Sequence, residues 1–221
     1  IFLSSCSRNT VNLDYTNAKE EVPALGNLVF RFDKSLVSDS LVNIWDTLEY
    51  IRFEPRIEGR FRWEHPDELV FSPSQPLQPA TRYTAKIRSS VLRFSKYNSV
   101  RGGDKISFHT PYLTLDGLQV VWVGESSTSA IPQLDLFFNY RVNPEDLKDK
   151  LSIEAEGKKV NFNMITISPD NKISVRLNGI KAEDKDIDTK VKIEKGLRPE
   201  KGNMSTSEPI TSTMAIPSPY V

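Results

Sequence analysis

The strongest constraint on the fold is that the sequence repeats itself at long range. Shifted by 106 residues, Leu28 falls on Leu134, Phe30 on Leu136 and Phe32 on Phe138, followed by Leu36 on Val142 and Leu41 on Leu147. Late in each copy Ile87 falls on Ile193, Val91 on Leu197 and Pro111 on Pro217. Unrelated domains do not match at both ends without a net gap, so the chain reads as two copies of one unit, 26–112 and 113–221. Each copy has about the length at which a domain buries its own core.

The text inside each copy sets the fold class. LVFRF, YIRFEP, GRFRWE, ELVFSP, RYTAKIRSSV and KISFHT alternate apolar and polar residues, the period of half-buried antiparallel strands. Turn-forming stretches such as PSQPLQP and RGGD separate them. The same grammar returns in QLDLFFNYRV, KLSIEAEG, KVNFNMITI, KISVRLNGI, KVKIEKGL and PITSTMAIP. With no long amphipathic helix, this predicts an all-β protein of two tandem immunoglobulin-like antiparallel β-sandwiches. Residues 7–25 are polar and aperiodic and read as a linker, with order beginning near Gly26. One helical turn is predicted after Asn143, a good N-cap followed by Pro144, Glu145 and Asp146.

Composition narrows the function classes. Lys plus Arg and Asp plus Glu number 29 each, so no global field favours nucleic acid. No apolar stretch has the length of a membrane span. The single cysteine, Cys6, can form neither an internal disulfide nor a Cys-rich zinc site. GxSxG, GxxxxGK[ST] and dinucleotide-binding patterns are absent, and the chain is expected not to be an enzyme, with no catalytic, cofactor-binding or metal-binding residues and no cofactor.

Several residues invite a functional reading and receive a structural one. Leu77-x-Pro79-x-Thr81-x-Tyr83 has the spacing of a chain crossing between sheets, where Tyr83 would bond back to upstream backbone as a tyrosine corner. Trp63 alternates with Phe61 and is expected in the core; Trp45 and Trp122 are expected to pack, an exposed indole at either being the sign of a ligand platform. His65 and His109 lack partners at metal-ligand spacing. Asp184, Asp186 and Asp188 sit at alternate positions, but the glycine and distal Glu of a calcium loop are missing, so 183–188 reads as a solvated turn. Glu54 and Glu58 have no predicted cleft to act in.

Two resemblances add to this. Leu3-Ser4-Ser5-Cys6 resembles the bacterial lipobox, which implies lipid attachment at Cys6 and an envelope location, anchored to the outer membrane on its periplasmic or surface side. VFRFDKSLVSDSL and LFFNYRVNPEDL, GRFRWEHPDELVFSPSQPLQPATRYTAKI, and KVKIEKGLRPEKG together resemble the N-terminal macroglobulin-like domains of bacterial alpha-2-macroglobulins. That resemblance implies tether and scaffold domains of a lipid-anchored protease inhibitor. Its partners would be the remaining domains of the parent chain, target proteases, and a membrane met through the lipid alone, with no nucleic acid. Cys6 is followed by Ser7-Arg8-Asn9 and so departs from the Cys-x-x-Gln thioester of that family. The competing expectation is a surface adhesin or glycan-binding lipoprotein built from such modules. A third is an enzyme whose active site lies elsewhere on the parent chain.

Overall fold

The computed structural model describes residues 9–124 and 130–220. The chain divides into two compact units, Ile1–Pro111 and Tyr112–Val221. Both are antiparallel β-sandwiches of the immunoglobulin-like kind, so the protein is all-β.

The first unit contains strands Thr10–Thr16 (β1), Glu20–Glu21 (β2), Leu28–Phe32 (β3), Trp45–Asp46 (β4) and Ile51–Glu54 (β5). It continues with Gly59–His65 (β6), Glu68–Pro73 (β7), Arg82–Ile87 (β8), Ser99–Arg101 (β9) and Ile106–His109 (β10). One sheet runs β4-β6-β7-β3-β1-β9, the other β2-β10-β8-β5. Two short pairings, β1 with β9 and β10 with β2, are parallel. The inward positions form an aromatic core: Phe53 lies 4.7 Å from Phe71, Phe61 4.8 Å from Phe71, and Tyr50 5.5 Å edge-on from Phe61. Such pairs add about 0.5–1.5 kcal/mol each beyond the area they bury. Gly59 is where β6 crosses close over this core; a Cβ there would meet the Phe71 ring at 2.5 Å and the Ser72 carbonyl closer still.

The second unit contains Leu115–Val123 (β11), Ile131–Val142 (β12), helix Pro144–Lys148 (α1), Leu151–Ala155 (β13), Lys158–Val160 (β14), Phe162–Met164 (β15), Asp170–Leu177 (β16), Ile187–Ile193 (β17) and Ile210–Ile216 (β18). Its sheets run β11-β12-β16-β15 and β14-β13-β17-β18. Helix α1 forms as its sequence dictates, with Asn143 Oδ1 accepting the Glu145 N–H at 3.1 Å. This core is aliphatic: Leu134, Leu136, Ile153, Ile173, Val175, Leu177 and Ile193 are fully buried, and Phe138 is its one buried aromatic among the described residues.

The two units share one plan. The run β6-β7-β3-β1 answers to β15-β16-β12-β11, and β10-β8-β5 to β18-β17-β13. The register between them is less constant than the sequence suggested. Ile51 pairs with Ile87, whereas Leu151 pairs with Ile193, so the copies stand 100 residues apart here. Leu13 pairs with Phe32 and Leu115 with Phe138, a spacing of 102, and a bulge follows each at the same place. The 106-residue spacing holds at β3 and β8; hairpins of different length absorb the rest.

A second correction concerns the amino-terminal side. Residues 10–21 are not a linker but contribute β1 and β2, one to each sheet of the first unit. The bulge between Leu13 and Tyr15 breaks the period-two pattern that would have revealed β1. Val11 and Ala18 are nevertheless fully buried in the core.

Candidate functional site

Cys6 lies outside the described residues. Tyr83, on β8, is 2% exposed and stacks on Phe108 at 5.3 Å. Its Oη accepts the Gln78 N–H at 2.9 Å, five residues upstream, and burial pushes its phenol up from the usual tyrosine range. Around it Thr81 and Thr110, both fully buried, complete the corner: Thr110 Oγ1 donates to Gln78 O at 2.6 Å and accepts Thr81 N–H at 2.9 Å. All of these groups are occupied in holding the crossing.

The three tryptophans take different roles. Trp63 is 3% exposed in the first core, edge-on to Tyr50 at 5.9 Å. Trp122, on β11, is half-buried and its Nε1–H donates to Pro217 O at 2.7 Å. Trp45 departs from the expected packing, being 40% exposed beside an exposed Ile44. It sits on the edge strand β4, opposite Arg62 of β6. The guanidinium of Arg62 lies 4.7 Å and that of Arg60 5.3 Å from the indole centroid. Arg62 also pairs with Glu64 two residues along the same strand. Alternation on β6 puts Arg60 and Arg62 on one face, and the ion pair brings Glu64 beside Arg62, so a short edge strand and its neighbour build a half-exposed indole flanked by two cations, one of them paired with an anion. Chemically, such a set can stack on the apolar face of a ring and hold an acidic or hydroxyl substituent beside it.

Two buried polar groups escaped the sequence reading. Asp135 lies on the outer face of its sheet, yet is only 3% exposed. Lys172 Nζ reaches it at 2.7 Å and Gln133 Nε2 donates at 3.0 Å. Burial alone would raise this carboxyl, but the bonds from Lys172, Ser174 and Gln133 and the Lys172 charge outweigh it and hold it below the usual aspartate range. In the first unit Tyr50 Oη donates to Asp46 Oδ2 at 2.8 Å; burial and this carboxylate push the phenol up to about 12. Sequence offered no signal for either, because Lys172 and Ser174 reach Asp135 from another strand and Asp46 meets Tyr50 across a turn.

The other singled-out residues are dispersed. His65 is exposed at the end of β6, and His109 Nδ1 lies 3.0 Å from Thr110 O. Glu58 pairs with Arg56 at 2.8 Å, and Glu54 is exposed on β5. Within 183–188, Asp186 Oδ1 accepts Ser218 N–H and Lys185 bonds Glu156 at 2.8 Å. Lys185 and Glu156 reinforce one another, their bond raising the amine and lowering the carboxyl. Glu154, Glu156, Asp188, Lys190 and Thr213 line an open hollow of about 590 Å³ in the second unit. Among the described residues no three His, Cys, Asp or Glu gather as a metal site, and no helix is long and apolar enough to cross a membrane.

By fold, then, this is a tandem immunoglobulin-like β-sandwich chain. No protein-family model matches it, and no curated protein does. Among solved structures, L,D-transpeptidase 3 from Mycobacterium tuberculosis is 13% identical over 58% of this chain, with a TM-score of 0.31; this chain spans 45% of its length. An L,D-transpeptidase from Mycobacterium smegmatis is 16% identical over 76% of each chain, with a TM-score of 0.32. The YadV chaperone is 12% identical over 91% of this chain and 98% of its own, with a TM-score of 0.28.

One expectation is corrected: the matched structures include L,D-transpeptidases, which are enzymes. Missing linear motifs do not exclude an enzyme, because catalytic groups converge from distant strands and need leave no such motif. Likenesses this slight carry no activity to the chain.

Proposed function

We propose that the two sandwiches are tether and scaffold domains of a lipid-anchored bacterial envelope protein of the alpha-2-macroglobulin type. The observation that carries the reading is duplication. One strand plan is used twice in tandem, downstream of the lipobox-like Leu3-Ser4-Ser5-Cys6. Each unit has its own buried core, and repetition of a self-sufficient module is a direct way to build reach from a membrane surface. In this reading the partners are the rest of the parent chain and the proteases that chain meets, and Cys6 carries the acyl chains that hold it at the membrane.

The test is mass spectrometry of the full-length protein isolated from its own host. The expected result is a mature chain beginning at an acylated Cys6, with Cys6→Ala leaving the protein unprocessed and released from membranes. An intact, unlipidated start in the wild type would refute the anchor. Incubating the full-length protein with a panel of proteases, and finding no complex retained after cleavage, would refute the inhibitor type.

The exposed Trp45 favours a second reading, a glycan-binding module. Titrating the full chain with acidic and neutral oligosaccharides while following indole emission separates the two. The tether reading expects no saturable change. Saturable quenching that Trp45→Ala and Arg60→Ala both abolish would assign the platform to sugars.

A further inference from the structure

The two copies close one side of the sandwich differently. In the first unit the chain leaves β1 after Thr16, crosses to the other sheet and lays β2 along the edge of β10. Glu20 and Glu21 pair parallel with Phe108 and His109, and Val22 N–H donates to His109 O at 2.8 Å. In the second unit the chain does not cross. The positions that answer to Glu20 and Glu21, 102 residues on, are Trp122 and Val123; they remain in β11 and pair with Pro132 and Ile131 of the lengthened β12. The strand that answers to β10 is β18, since Phe108 pairs with Tyr83 as Met214 does with Thr189. Among the described residues no strand pairs with β18 on the side away from β17; β11 approaches it only closely enough for the Trp122 indole N–H to donate to Pro217 O, just past the strand's end.

The edge left open is a long one. Strand β18 has seven residues, about 23 Å of unpaired backbone at ~3.3 Å per residue. From Pro209 to Pro217 the sequence PITSTMAIP carries no charge, so no Lys guards the strand itself and only the two prolines that bound it limit the edge. Its core-side residues Ile210 and Met214 are only partly buried at the rim of the core.

We propose that β18 is a self-association edge: a second copy of this chain adds its own β18 antiparallel, about a two-fold axis at Thr213. Such an isologous contact closes on itself as a dimer. In this register Ile210 faces the partner's Ile216, Ser212 faces its Met214, Thr211 faces its Ala215, and Thr213 faces its own copy. No like charges oppose one another, and an apolar pair covers each end of the core-side row. A strand already fills this place in the first unit, so the position is one that this fold closes with backbone hydrogen bonds. The proposal is independent of the tether reading.

Sedimentation equilibrium of the full chain tests it, with two double variants at outward, exposed positions that leave the core untouched. The wild type should move from 25.1 kDa toward twice that mass as concentration rises. Thr211→Lys with Ala215→Lys sets lysines opposite one another and should weaken the dimer at least about tenfold. Thr211→Glu with Ala215→Lys sets opposite charges across the axis, and beside Lys192 and Asp188 within each copy, and should hold the dimer within about threefold of wild type. A wild type that stays monomeric into the millimolar range overturns the proposal, as does equal dimerisation of both variants. Amide exchange in β18 that slows only when a foreign extended peptide is added, at constant monomer mass, also overturns it and gives the edge to another chain.

Discussion

Replacing Thr110 by Val should destabilise the first unit by about 2 kcal/mol, although valine is the more hydrophobic residue. Thr110 is fully buried, and its hydroxyl both accepts the Thr81 N–H at 2.9 Å and donates to Gln78 O at 2.6 Å. Thr81 is equally buried, so its N–H has no water to turn to once the acceptor is gone. A stranded buried donor costs about 1–3 kcal/mol and the lost bond to Gln78 about 1 more. Burying the added methyl offsets about 0.8 kcal/mol of this. Thr110→Ser keeps both bonds and gives up one methyl, so it should cost only about 1 kcal/mol.

The second unit shows that the hydroxyl answers to a local need. Thr81 and Thr110 correspond there to Ile187 and Ile216, which pair with each other in the buried corner. Tyr83 corresponds to Thr189, and the stretch answering to Leu77–Ala80 is the exposed 183–186 turn. Without a tight crossing to bond, hydrocarbon serves. The assay is urea unfolding followed by indole emission in a Trp122→Phe background, which leaves Trp45 and Trp63, both in the first unit, as reporters. The midpoint should fall with the slope unchanged. If Thr110→Ser destabilises more than Thr110→Val, burial outweighs bonding at this site and the reasoning fails.

Three further outcomes are expected. Asp135 has a depressed carboxyl in the folded state, so its contribution is present above the ordinary aspartate value near ~3.9 and is lost as pH falls through the lower folded one; Asp135→Asn should flatten the acid limb of second-unit stability, and an unchanged limb would contradict this. Tyr50, raised to about 12, contributes stability that is whole below the unfolded tyrosine value near ~10 and lost as pH climbs toward the folded one; Tyr50→Phe should remove that alkaline loss in first-unit unfolding curves. Asn143→Ala strips the cap of α1 and should cost the second unit about 1 kcal/mol, recovered largely by Asn143→Asp, as read by calorimetry.

What the sequence made legible was the inward half of the strands. Leu28, Phe30, Phe32, Leu134, Leu136 and Phe138 were identified by alternation alone, and all six are buried, because period two is a direct consequence of the pleat. Strand β1 was missed where a bulge spoils that period. On the outward half, alternation gives no hint that Asp135 is buried, and Trp45 departs from the packing expected of it. An outward position on a strand is wet only if its neighbours are short, and Lys172, Gln133 and Ser174 close over Asp135. At Trp45 the strand is two residues long at a sheet edge, so the indole has a neighbour on only one side.

The same distinction locates where function can differ between the copies. Their cores exchange aromatic for aliphatic fillings without altering strand order, as volume-conserving repacking permits. Core identity therefore carries little information about role. The features that are not shared lie on edges: β4 with its Trp45 platform has no counterpart in the second unit among the described residues, and the bare edge of β18 has none in the first. An edge strand can gain or lose a cover without disturbing the pairs behind it. Duplicated sandwiches can thus diverge there first, and a chain of such modules can carry distinct contacts on one invariant frame.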